Sequence, residues 1–137
     1  MMTEDWMIDE VSGVGGVLHV VVSTADGLVT ARSSQIDQEA AERLGAACAG
    51  LYSIGLSVGG EFKDEFGSGS GNTQQVMIDL DGGFLFVRRA ADGSRLAVVT
   101  DSTVEPAVIG QQMARQVAKI GSQLGAAPRH AHSGAAT

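Results

Sequence analysis

Asp-Gly occurs at Asp26-Gly27, Asp81-Gly82 and Asp92-Gly93, each time between runs rich in Val, Leu, Ile and Phe. Between apolar runs this dipeptide is the strongest short-range signal for a β-hairpin. In a two-residue type I′ turn both central residues need positive φ, which Gly reaches freely and Asp tolerates better than most side chains. Three such turns predict an antiparallel meander. The interval between the first and second is long enough for a helix, so the expected order is hairpin, helix, three-stranded meander, helix.

Val17 to Ser23 and Leu28 to Arg32 flank the first turn, and Val20-Val21-Val22 favours a strand over a helix. Gln75 to Leu80, Phe84 to Arg88 and Arg95 to Thr100 follow as three more strands. In the first of these, Val76, Ile78 and Leu80 alternate with Met77 and Asp79. Phe84-Leu85-Phe86-Val87 is apolar at every position, which is expected of a strand covered on both faces. Helices are therefore expected on both sides of the sheet. A short amphipathic helix is expected from Glu4 to Val11, ended by Gly13. The last helix begins at Ser102-Thr103-Val104-Glu105, which has the spacing of a capping box, with Pro106 in the first turn and Gly125 at the end.

The long helix expected from Asp37 to about Phe66 is the unusual element. Asp37 is suited to cap it, and Glu39 and Glu42 suit the positive end of its dipole. Leu44, Cys48, Leu51, Gly55, Val58 and Phe62 recur at spacings of four and three, on one face. Tyr52 and Leu56 fall to one side of that stripe and Ile54 to the other, so the apolar arc covers about half the circumference or more. A helix lying on a sheet needs less than that. The remaining wall carries Ala46, Ala49, Gly50, Ser53, Ser57 and Gly60, nearly all small. It reads either as a solvent face of weak helix propensity or as a surface where another backbone approaches closely.

A length of 137 residues, 44% of them hydrophobic, predicts one domain with a core. Residues 1–125 form that domain in this reading, and Ala126 to Thr137, rich in Ala, Ser, Gly and His, forms a disordered tail. A net charge of −7 argues against nucleic acid and anionic membrane surfaces as partners. The acidic start lacks the pattern of a signal peptide, and no stretch reaches the length of a spanning helix, so a cytoplasmic place without direct membrane insertion is expected. Cys48 has no second thiol to pair with and reads as a small core residue.

Residues for catalysis are scarce. His19 is the one His outside the tail and sits among valines, where a structural role outweighs a catalytic one. His130 and His132 lie in the tail without further metal ligands. Gly67 to Gly71 leads into a strand without the Lys of a P-loop, and Gly13 to Gly16 lacks the preceding strand of a dinucleotide fingerprint. The acidic clusters Glu4-Asp5, Asp9-Glu10 and Glu61 to Glu65 read as solvated helix ends. Phe62 and Phe66 read equally as core anchors or as an interaction edge. No enzyme, cofactor or metal site is expected.

The chain resembles the roadblock/dynein light-chain family, in its bacterial branch. The resemblance is carried by Val14-x-x-Val17 leading into Val20-Val21-Val22-Ser23 and Asp26-Gly27-Leu28-Val29, and by the small-residue helix around Ala46 to Leu56. Gln75-Val76-Met77-Ile78, Gly83-Phe84-Leu85-Phe86-Val87 and the Leu96-Ala97-Val98-Val99-Thr100 strand before the last helix complete it. It implies an α+β fold: a five-stranded antiparallel meander sheet flanked by helices on both faces, in the order α-β-β-α-β-β-β-α. It also implies a homodimer built on the long helix and the third strand, which places Leu44, Cys48, Leu51, Tyr52, Gly55, Val76 and Ile78 at the dimer interface. Bacterial members are commonly partners of small Ras-like GTPases, in membrane-associated sets with a histidine-kinase-like protein. On this reading the chain is a non-enzymatic regulator or scaffold, recruited to the inner face of the membrane through its partners. Ala46, Gly50, Ser53, Ser57 and Gly60 then form the partner-binding wall, with modulation of GTP hydrolysis as a further expectation. Two other classes stand beside it, a small-ligand sensor module and a purely structural subunit of a signalling complex.

Overall fold

Residues 6–67 and 71–125 are described by a computed structural model. The order is α1 (Asp9–Ser12), β1 (Val17–Ser23), β2 (Val29–Arg32), α2 (Gln38–Glu61), α3 (Lys63–Phe66), β3 (Gln75–Leu80), β4 (Gly83–Arg89), β5 (Arg95–Asp101) and α4 (Pro106–Ile120). A π-helical turn, Gly121–Gly125, ends it. The sheet runs β2-β1-β5-β4-β3, all pairs antiparallel. This is the expected α+β meander with helices on both faces. The expected disordered tail with His130 and His132 lies outside the described residues, as do the first residues of the expected first helix.

All three Asp-Gly pairs are hairpin turns, but none is type I′. Gly27, Gly82 and Gly93 have φ of 94°, 90° and 95°, and among the described residues no side-chain-bearing residue has positive φ. Asp26, Asp81 and Asp92 therefore all keep negative φ. In the first and third turns the Gly N–H donates to the carbonyl three residues back, Gly27 to Thr24 and Gly93 to Ala90. These are type I turns followed by a left-handed glycine, the second-commonest way to close a hairpin. Between β3 and β4, where Leu80 pairs with Gly83, the signs are those of type II.

Other local expectations are refined by the structure. Asp37 caps α2 through a bond from the Ala40 N–H at 2.8 Å. The capping box at Ser102 does not form. Asp101 instead accepts from the Thr103 N–H and hydroxyl, and α4 begins at Pro106 without a side-chain cap. The long helix stops at Glu61, and Lys63–Phe66 forms a separate turn.

Strand alternation sorts the core into two layers. Val20, Val22, Phe86, Leu96 and Val98 face α1 and α4, where Met7, Ile8, Val11, Ile109, Met113 and Ile120 close the larger core. On the opposite face Leu85, Val87 and Ala97 meet Cys48 and Tyr52 of α2, and Val21 meets Ile36 and Ala41.

A polar clasp holds the first segment to α4. Gln116 is fully buried; its amide oxygen accepts from the Glu10 N–H at 2.6 Å and its nitrogen donates to the Trp6 carbonyl at 3.0 Å. Lys119 pairs with Asp9 at 2.8 Å and Glu10 at 3.3 Å. The Lys119 ammonium, bonding first and acting through its charge as well, holds the Asp9 carboxyl below its usual value.

Replacement Gln116→Leu orphans two backbone groups and should cost about 2 kcal/mol or more in urea unfolding. Because the folded pKa of Asp9 is depressed, its contribution is present above 3.8 and lost as pH falls through the folded value. Asp9→Asn should therefore lower the urea midpoint at neutral pH. That difference from the parent should close under acid below 3.8.

Candidate interaction surface

Helix α2 governs this surface because it does not fit the sheet beneath it. Twenty-four residues make a helix about 36 Å long, whereas five strands span about 24 Å. Its first half rests on strands, as Ala41, Cys48 and Tyr52 are buried there. Beyond Tyr52 the chain segment before β3 lies beneath it instead. A side-chain carbon added at Gly55 would run into Thr73, and one at Gly59 into the Gly71 backbone. Thr73 donates its hydroxyl to the Tyr52 carbonyl at 3.1 Å, and the Tyr52 hydroxyl donates to the Gln74 carbonyl at 2.9 Å. These bonds strap the entry of β3 to the helix.

Three walls of α2 have different fates. Ala41, Gly45, Cys48, Tyr52 and Gly59 are buried. Burial pushes the Cys48 thiol up to about 11 and the Tyr52 phenol up to about 12. A second wall is apolar and uncovered: Ile54 is 63% exposed, Val58 51% and Phe62 46%. Leu44 and Leu51, half-buried, join it to the core beside Ile78 and Val99. On the third wall Ala46, Gly50, Ser53, Ser57 and Gly60 are all exposed.

The residues expected at a dimer interface are thus divided. Cys48 and Tyr52 are enclosed within the protomer, and Gly55 faces Thr73. Leu44, Leu51, Val76 and Ile78 are half-buried at the border of the core. Ile54, Val58, Phe62 and Leu80, exposed and apolar, are not among the residues that the sequence singles out for the interface. Val58 and Phe62 lie on the main apolar stripe of α2 and Ile54 to its side, and periodicity gives the width of that arc without saying which edge faces the sheet; Leu80 ends β3. The five residues of the expected partner-binding wall do share one open face. Phe62 and Phe66 lie on the surface with ring centroids 6.4 Å apart, and the core-anchor reading of the pair is not met.

His19 stands opposite Val99 on the α2 side of the sheet, its Nδ1 buried and without a hydrogen bond. Among the described residues no three of His, Cys, Asp and Glu converge as a metal site, and no helix is long and apolar enough to cross a membrane.

The surface consists of one helix too long for its sheet, an apolar wall beside it and an open sheet edge at β3. That arrangement defines a small α+β domain. The Roadblock/LC7 domain pattern matches residues 4–100, and the chain belongs to that family. It is similar to the crystal structure of a Roadblock/LC7 domain from Streptomyces avermitilis, with 34% identity over 88% of this chain and 96% of that one and a TM-score of 0.77. The gliding protein MglB from Thermus thermophilus shares the fold at 14% identity, covering 84% of this chain and 82% of its own, with a TM-score of 0.69. Profilin IA of Acanthamoeba castellanii does so at 13% identity, 88% and 97% coverage and a TM-score of 0.58. No curated protein matches the chain.

The glycines of α2 give a direct check on this geometry. A Cβ at Gly45 would sit 2.7 Å from the Gly27 carbonyl oxygen, whereas one at Gly50 meets nothing within 4 Å. Gly45→Ala should destabilise by about 1–3 kcal/mol in urea unfolding. Gly50→Ala should stabilise by about 0.5–1 kcal/mol.

Proposed function

We propose that the chain is a homodimeric, non-enzymatic regulator or scaffold that binds a small Ras-like GTPase in bacterial signalling. The observation that carries this reading is the uncovered apolar wall of α2 beside the open edge of β3. Ile54, Val58 and Phe62 are exposed on α2, while on β3 Ile78 is half-buried and Leu80 is 51% exposed. A twofold operation that pairs β3 with its own copy would bring the exposed apolar wall of each α2 within reach of its counterpart. Both surfaces would then be covered by like chemistry. Residues 1–125 act in this reading as one domain.

The GTPase partner rests on family membership and on the fold shared with MglB. The small wall of Ala46, Gly50, Ser53, Ser57 and Gly60 would remain outside the dimer and admit the partner. Any effect on hydrolysis would come from ordering the GTPase's own switch segments, because no arginine among the described residues stands on a loop shaped as a finger. A cytoplasmic place, with recruitment to the inner face of the membrane through partners such as a histidine-kinase-like protein, belongs to the same proposal.

Light-scattering chromatography tests it first. The parent should run at twice the chain mass and Val58→Glu as a folded monomer, since Val58 is outside the protomer core. A monomeric parent would overturn the dimer. Ser53→Arg or Ser57→Arg should leave the dimer intact and abolish binding of the cognate GTPase, and unchanged binding would remove the small wall from the site.

A further inference from the structure

Three of the nine Lys and Arg residues of this acidic chain, Arg88, Arg89 and Arg95, gather at one corner of the sheet. Arg89 and Arg95 are directly opposed across β4 and β5, a like-charge juxtaposition that disfavours the fold unless something compensates it. No carboxylate among the described residues does so. The ion pairs there are those of Arg43 with Glu39 and of Lys119 with Asp9 and Glu10. The nearby Asp92 carboxylate accepts from the Ser94 N–H and hydroxyl.

Arg95 is nevertheless held in place. Its guanidinium lies over the Tyr52 ring, 4.4 Å from the centroid, and its Nη1 donates to the Gly93 carbonyl. Its Nε is buried without a hydrogen-bond partner. Arg89 is half-buried, and its guanidinium makes no bond among the described residues. Arg88 faces the other side of the sheet by alternation and donates to Gln75 at 2.7 Å. The Arg89–Arg95 corner lies on the α2 side of the sheet, beside Tyr52. We propose that Arg89 and Arg95 receive a carboxylate-bearing segment of a partner protein.

The arginine fork suits carboxylate and phosphate alike, so the surrounding donors decide. Phosphate sites are typically built on free backbone N–H groups. Here the N–H groups are already engaged: Arg89 with Gln74, Ala90 with Ser94, Gly93 with Ala90 and Ser94 with Asp92. A carboxylate needs only the two side chains. The inference takes the nature of its partner, a docked protein, from the function proposed above, while its test reads the arginines alone.

The probe is a fluorescent oligoglutamate peptide, followed by anisotropy at low ionic strength against the full chain, with oligoglutamine as control. The parent should bind oligoglutamate and not oligoglutamine. Arg89→Gln and Arg95→Gln should each weaken binding about tenfold or more, the loss expected of one charge-assisted bond. Arg115→Gln, on α4, should leave it unchanged. Removing an unpaired like charge should also leave the melting temperature of Arg89→Gln equal to the parent's or above it. A lower melting temperature would make the pair structural and overturn the proposal, as would equal peptide binding by parent and both variants. Inorganic phosphate that displaces the peptide at equal concentration would overturn the choice of carboxylate. A monomeric parent that still binds the peptide would separate failure of the dimer from failure of this site.

Discussion

The mismatch in length between α2 and the sheet is the constraint on which the rest depends. A helix that ended at Tyr52 would rest wholly on strands, and its apolar face could close against them. The extra turns to Glu61 carry Ile54 and Val58 beyond any strand of the same protomer, with Phe62 just after them. Full burial of such a side chain is worth about 1.5–3 kcal/mol, and these three, about half exposed, each forgo roughly half of that within the protomer. The same turns are held in position by the Tyr52, Thr73 and Gln74 bonds, which fix β3 to the helix and tie the two candidate interface elements together.

Glycine placement in α2 separates what the protomer requires from what it leaves open. Gly45, Gly55 and Gly59 each have backbone or side-chain atoms where a Cβ would go. Gly50 and Gly60 have open space there. Glycine inside a helix costs about 1 kcal/mol relative to Ala. The first three offset that cost by close packing within the protomer, whereas the last two have no such compensation inside it.

Much of this was legible in the sequence, for local reasons. Asp-Gly turns, β-branched runs and the Asp37 cap are short-range signals, and they located five strands and two long helices to within a residue or two at most boundaries. The turn class was missed because Asp-Gly also suits a type I turn followed by a left-handed glycine, and only the φ signs distinguish the two. The capping box at Ser102 lost to Asp101, whose carboxylate takes the Thr103 donors first. At the candidate surface, periodicity found the width of the apolar arc but not its orientation. Cys48 and Val58 share a stripe in projection, yet one is buried and the other half exposed, because the sheet lies beneath the first and not beneath the second. The Arg89–Arg95 corner was not legible at all. Its residues lie in different strands, and only the pairing register opposes them.

The two edges of the sheet are protected unequally, and this bears on what the open surface is for. At one edge β2 has four residues and carries Arg32, so it offers a short template with a charge on it. At the other edge β3 has six residues, Gln75 to Leu80, with neither Pro nor Lys and a single charge at Asp79. Edges of the second kind are ordinarily blunted, because their unpaired N–H and C=O groups recruit other strands without limit. Here the strap from Gly71 to Gln74 guards only the entry of β3, and the six paired residues beyond it stay open. Pairing with one symmetric copy consumes that edge and leaves the blunted β2 strands outermost. The closed dimer proposed above would turn the least protected strand into the centre of a continuous sheet, and the same step would bring a second apolar wall within reach of the first.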